Sequence, residues 1–124
     1  MAYSQTINLV TGDTLPELTF TLRDSNTAAS GQILDLDDST TWAPINVSGG
    51  SVRLRLRELG STTVKSTLIC TITDGSAGKV VTGFPPGTLD TAGTFEGEIE
   101  ITFPSGGIQT VYDLIKLKVR SDFD

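Results

Sequence analysis

Phe95-Glu96-Gly97-Glu98-Ile99-Glu100-Ile101-Thr102-Phe103 is the stretch that decides the fold. Apolar or small residues alternate strictly with polar ones, the period-two signature of a strand with one buried and one solvated face. Phe95, Ile99, Ile101 and Phe103 share the first face with Gly97; Glu96, Glu98, Glu100 and Thr102 share the second. Three carboxylates on one face repel one another unless flanking strands bring cations. Two stretches are built to do so. Val52, Leu54 and Leu56 alternate with Arg53, Arg55 and Arg57, and Ile115, Leu117 and Val119 alternate with Lys116, Lys118 and Arg120. The Lys-bearing stretch closes a strand expected over residues 108–120, joined to the Glu strand by the turn Pro104-Ser105-Gly106-Gly107, so the two are expected to pair antiparallel. Glu96, Glu98 and Glu100 should then face some of Lys116, Lys118 and Arg120, with the Arg strand on the other flank.

The remaining chain reads the same way. After Pro16, Leu18, Phe20 and Leu22 alternate with Thr19, Thr21 and Arg23, and Asp24-Ser25-Asn26 supplies turn chemistry. Residues 64–73 form a strand carrying Leu68, Cys70 and Ile72, and Asp74-Gly75-Ser76-Ala77-Gly78 turns it into a strand over residues 79–84, ended by Pro85-Pro86-Gly87. Residues 27–50 are the least regular part: Ile33-Leu34-Asp35-Leu36 reads as a short strand, Asp37-Asp38-Ser39-Thr40 as a turn. The single Trp, Trp42, reads first as a core plug and second as a binding anchor. Residues 1–10 are either an edge strand or a tail that orders on a partner. Short strands at frequent turn signals, without an amphipathic helix, predict an all-β domain: an antiparallel β-sandwich of about seven or eight strands, or a small barrel. The expected organisation is an arm or edge strand over 1–10, one domain over 11–120 and a tail over 121–124.

Composition narrows the function. A net charge of −6 opposes nucleic-acid binding, which needs clustered Lys and Arg. No apolar run approaches the roughly 18 residues that span a bilayer, and the N-terminus has neither the basic start nor the apolar core of a signal peptide. With no His and one Cys, the chain lacks Cys-His dyads, Ser-His-Asp triads and His-based metal sites. Gly75-Ser76-Ala77-Gly78-Lys79 lacks the spacing of a nucleotide-binding loop. Glu96, Glu98 and Glu100, beside cations, read as ionised surface pairs rather than as a catalytic acid and base. Asp35, Asp37 and Asp38, with Asp24, are the best metal candidates, but they lack EF-hand spacing and read as a solvated acidic turn. Cys70, on the parity of Leu68 and Ile72, reads as a buried thiol suited to a reducing cytoplasm. Neither an enzyme nor a cofactor is expected.

Several stretches taken together resemble the N-terminal domain of phage baseplate upper proteins. Thr11-Gly12-Asp13-Thr14-Leu15-Pro16 running into Leu18-Thr19-Phe20-Thr21-Leu22-Arg23-Asp24 is similar to that family's opening. Ser51-Val52-Arg53-Leu54-Arg55-Leu56-Arg57 is similar to its second signature strand. Asp74-Gly75-Ser76-Ala77-Gly78-Lys79-Val80 and Gly93-Thr94-Phe95-Glu96-Gly97-Glu98-Ile99-Glu100 resemble its later hairpin and Glu-bearing strand. The resemblance implies an immunoglobulin-like sandwich in a tailed-phage virion, made in the host cytoplasm and docked on other virion proteins, in many copies or as a homo-oligomer, without nucleic acid or membrane. It implies a place in the tail, baseplate or fibre attachment. The sequence ends soon after its last strand with no coiled coil or receptor-binding extension, which makes a capsid decoration protein the alternative. A carbohydrate-binding sandwich is more distant, because Trp42, Tyr3 and Tyr112 are few and scattered. The expected contacts are the arms and the Trp segment: Tyr3, Ile7, Leu9, Trp42 and Phe123. On this reading, removal of residues 1–9 should leave the fold intact.

The charge-stripe reading makes a direct prediction. Glu98→Lys should cost roughly 1 kcal/mol or less, as an exposed ion pair allows; loss of the cooperative thermal transition would show Glu98 to be buried.

Overall fold

The structure is a computed structural model that describes residues 3–123. Its ten strands are β1 (Tyr3–Val10), β2 (Leu18–Thr21), β3 (Arg23–Ala28), β4 (Trp42–Pro44), β5 (Ser51–Glu58), β6 (Val64–Asp74), β7 (Lys79–Thr82), β8 (Gly93–Thr102), β9 (Ile108–Thr110) and β10 (Leu114–Arg120). A single 3-10 turn, Ser39–Thr41, precedes β4, and the described residues contain no α-helix. The chain is all-β.

One curled sheet runs β1-β10-β8-β5-β6-β7-β2, with β9 also on β8; β3 and β4 form a separate ribbon. β6 turns the corner. Its first part, through Cys70, pairs with β5, and Thr71, Ile72 and Asp74 pair with β7. A register shift lies between Ile72 and Asp74, the kind of irregularity that accompanies curling of a sheet. The curled sheet buries one core, to which Val52, Leu54, Leu56, Phe95, Ile99, Ile101, Leu117 and Val119 belong together with Leu18, Phe20, Leu22 and Val80. Alternation in the sequence maps directly onto this burial. β8 reads exposed at Gly93, then strictly half-buried and buried in turn from Thr94 to Thr102.

Three expectations need correction. The sheet is mixed rather than antiparallel, because β1 lies parallel to β10, from Tyr3 opposite Leu114 to Val10 opposite Arg120. Of the two readings of residues 1–10, the described part, 3–10, follows the edge strand, and its Leu9 is 4% exposed and belongs to the core. The strand expected over 108–120 is two strands. Thr110 faces Glu100 and Ile115 faces Gly97, so β9–β10 spends two more residues than β8 does on the same interval. This bulge puts Leu114 and Ile115 side by side, both buried, where strict alternation allows one. Finally, residues 33–36 form no strand. Ile33 and Leu36 are exposed, and the loop satisfies its own backbone: Asp35 N donates to Thr41 Oγ1 and the Asp35 carbonyl accepts from Trp42 Nε1 at 2.9 Å.

Because Leu9 is core and β1 covers one side of β10, Leu9→Ala should cost about 2–5 kcal/mol, the range for a buried leucine. Removal of residues 1–9 should lower the melting temperature sharply. A deletion variant that melts like the intact chain would show that β1 carries none of the stability.

Candidate docking surface

The charged face sits over the middle of the sheet. β5 and β8 pair so that Arg53 faces Glu100, Arg55 faces Glu98 and Arg57 faces Glu96. The side chains follow the register. Arg53 Nη2 lies 2.6 Å from Glu100 Oε1 and its Nε donates to the same oxygen at 2.9 Å; Arg55 Nη1 stands 3.5 Å from Glu100 Oε2 and 3.9 Å from Glu98; Arg57 Nη2 is 3.1 Å from Glu96. On the other flank the expected match is only partial. Lys116 faces Glu96, but Lys118 faces Thr94, and the ladder ends at Val119 opposite Gly93, leaving Arg120 beyond it. The bulge at the start of β10 improves this match rather than spoiling it: continued in the register of β9, Lys116 would face Thr94, and the two extra residues bring it opposite Glu96. The Arg strand neutralises the Glu stripe; the Lys strand mostly does not.

The remaining reactive groups are occupied structurally. Burial pushes the Cys70 thiol up to about 11, against smaller opposing contributions from hydrogen bonds with Thr82 and the Leu54 backbone, so it is protonated at neutral pH. In the acidic loop, Asp35 Oδ1 accepts from Asp37 N, while Asp38 Oδ1 accepts from Thr40 N and Thr40 Oγ1 and caps the 3-10 turn. Those contacts hold the Asp38 carboxyl below its ordinary range. Asp24 Oδ1 accepts from Asn26 N and its Oδ2 from Thr27 Oγ1. Among the described residues no three Cys, Asp or Glu side chains converge as metal ligands do.

The expected contact residues scatter in burial. Trp42 is 2% exposed and Leu9 4%, so neither presents a surface as the chain stands. Ile7 is partly buried against the core. Tyr3 lies in β1, and its side chain is outside the described part. Phe123 is 96% exposed, its ring 5.4 Å from the Arg120 guanidinium. The structure adds a group that the sequence did not single out. Leu36 and Tyr112, both more than half exposed, line one groove of about 340 Å³ with Arg23, Asp24, Gln109 and Thr110. Ile33, 90% exposed, belongs to the same loop as Leu36. The available signals were an apolar run in an acidic loop and the break in alternation at Val111-Tyr112-Asp113-Leu114. No protein-family model matches the chain, and no curated protein matches it as a relative.

Two carboxyls respond to their surroundings with opposite sign. Lys65 Nζ donates to Asp90 Oδ1 at 2.7 Å, and this bond, helped by Thr91, depresses the Asp90 carboxyl. Asp113, in the bulge, is raised by desolvation. Asp90 therefore contributes stability at pH values above its unfolded pKa of about 3.9, lost as pH falls through its lower folded value. Asp113 does the reverse: its charged form costs stability, and the cost grows as pH rises from the unfolded to the folded value. At pH 7, Asp90→Asn should lower the melting temperature and Asp113→Asn should raise it. Both differences should shrink as pH falls toward roughly 3. Shifts of the same sign at pH 7 would contradict this assignment.

Proposed function

We propose that the chain is a structural docking module of a tailed-bacteriophage particle, made in the host cytoplasm and seated on other virion proteins in the tail, baseplate or fibre attachment. The observation that carries the docking part is the placement of exposed apolar side chains. Leu36 and Tyr112 stand out at one groove, while the Glu stripe at the sheet's centre is matched by arginines. Large exposed apolar groups gathered at a groove are a protein-contact feature rather than a solubility feature. The phage part rests on the resemblance of the segments that form β2, β5, the β6–β7 hairpin and β8. The same proposal includes an immunoglobulin-like sandwich, supported by β6, which pairs with β5 over its first part and with β7 over its last, and by the single core that the curled sheet encloses. Multiple copies per particle belong to the proposal as well. A non-catalytic role is part of it, supported by the buried, protonated Cys70 and the turn-forming use of the aspartates.

The test is incorporation into particles. Leu36→Asp with Tyr112→Asp replaces exposed side chains and should change stability by only about 0.5 kcal/mol. The variant should melt like the native chain yet co-purify with particles at least about tenfold less, a loss of about 1.4 kcal/mol or more in docking. Unchanged incorporation would overturn the reading. Electron microscopy of the particle separates the alternatives, since density on the tail supports this proposal and density on the shell replaces it with capsid decoration.

A further inference from the structure

β1 is an edge with an open side. Its strand partner is β10, the sheet path ends with it, and among the described residues no turn or loop bonds to its backbone before Val10. Natural edge strands are usually short, or carry charge, proline or bulges that discourage further pairing. The opposite edge, β2, follows that rule with four residues. β1 does not. It is eight residues long, Tyr-Ser-Gln-Thr-Ile-Asn-Leu-Val, with no charge, proline or glycine, and its one irregularity lies at the start, between Tyr3 and Gln5.

The ground beside this edge is cationic. Ile7 and Leu9 align with Leu117 and Val119 on the inner face, so Thr6, Asn8 and Val10 align with Lys116, Lys118 and Arg120 on the outer one. Arg53, Arg55, Arg57 and Lys65 all stand in ion pairs with carboxylates. Lys118 and Arg120 make none among the described residues, although the chain as a whole carries a net charge of −6. Both are exposed, and they flank a shallow hollow of about 500 Å³ floored by Asn8, Val10, Gly93 and Thr94. Arg120 Nη1 donates to the Ser121 carbonyl at 3.0 Å, and its guanidinium lies 5.4 Å from the Phe123 ring.

We propose that the β1 edge receives an extended strand of a partner protein, with Asp or Glu on the strand's outer face and apolar residues on its inner face. Main-chain bonding to the open edge supplies the pairing, as in strand addition to other sheets. The inner residues would extend the apolar row of Ile7 and Leu9. The outer carboxylates would lie two strand spacings from β10, about 10 Å, a gap that a Lys or Arg side chain and a Glu side chain close together. Between them stand only the short Thr6, Asn8 and Val10. A second copy of this chain fits less well: its own β1 brings no carboxylate and sets another Lys118 and Arg120 on the same face. The inference deepens the docking reading and rests on it for the existence of a partner.

The experiment uses the full chain, isotopically labelled, and two capped eight-residue peptides, one alternating Val with Glu and one alternating Val with Lys. Resonance shifts and amide hydrogen exchange locate the contact. The Glu peptide should shift and protect β1 amides, bind at least about tenfold tighter than the Lys peptide at low salt, and weaken as salt rises. Lys118→Glu with Arg120→Glu, both exposed positions, should keep the native melting temperature and reverse the preference. Equal binding of the two peptides, shifts centred away from β1, or no binding at millimolar peptide would overturn the proposal. So would β1 protection that grows with the concentration of the chain alone, which would make a second copy the occupant. Failure here with loss of particle incorporation in the Leu36→Asp, Tyr112→Asp variant would leave the docking function standing and remove only the strand-addition site.

Discussion

The two faces of β8 constrain the rest of the molecule. Phe95, Ile99 and Ile101 must point into the core, and their neighbours Glu96, Glu98 and Glu100 must not. A register slip of one residue against β5 would set carboxylates against Val52, Leu54 and Leu56, at several kcal/mol for each ionised group buried without a partner. The native register instead sets Arg53, Arg55 and Arg57 opposite the three glutamates. Each pair adds only about 0.2–1 kcal/mol. Their larger effect is on specificity, since the arrangement that buries the apolar row is also the one that neutralises the charged row.

Two glycines show how tightly the neighbouring parts close on this frame. A Cβ at Gly97 would lie 2.9 Å from Leu54 Cδ1 and 3.3 Å from Leu56 Cδ2, so the inner face of β8 is filled there by leucines reaching over from β5. Gly78, at φ +70°, would place a Cβ 2.7 Å from the carbonyl oxygens of both Leu22 and Ile45. Those segments bond there, Leu22 N to the Gly78 carbonyl and Ile45 N to the Leu22 carbonyl, each at 2.8 Å. The loop that carries Leu36 is thus anchored at its base, although its tip is exposed.

What the sequence revealed follows from what alternation encodes. A period of two tells which face of a strand is buried, and it located β2, β5, β6, β8 and the Lys-bearing part of β10 with their core residues. It does not name a strand's neighbour. The parallel pairing of β1 was therefore hidden, because Ile7 and Leu9 are equally consistent with an edge strand and with an arm. Nor does alternation count residues between elements. The extra residues at Val111-Tyr112-Asp113 shift the Lys stripe by two positions along β8, which brings Lys116 opposite Glu96 and leaves Lys118 opposite Thr94. Ile33-Leu34-Asp35-Leu36 looked like a strand by composition, yet Thr41 and Trp42 bond locally to the Asp35 backbone and hold it as a loop. The exposed groove at Leu36 and Tyr112 arises from both of these features, which is why no single stretch announced it.

The central claim is that the β5–β8 charge ladder sets register and satisfies itself, leaving contacts to the flank and the β1 edge. Its most direct measurement is a charge exchange at the shortest pair, Arg53 and Glu100, followed by thermal or denaturant unfolding. Arg53→Glu and Glu100→Arg alone should each lower stability, and the double exchange should recover most of the loss, a coupling of about 0.5–1 kcal/mol. Purely additive losses, with no recovery in the exchanged protein, would contradict the account.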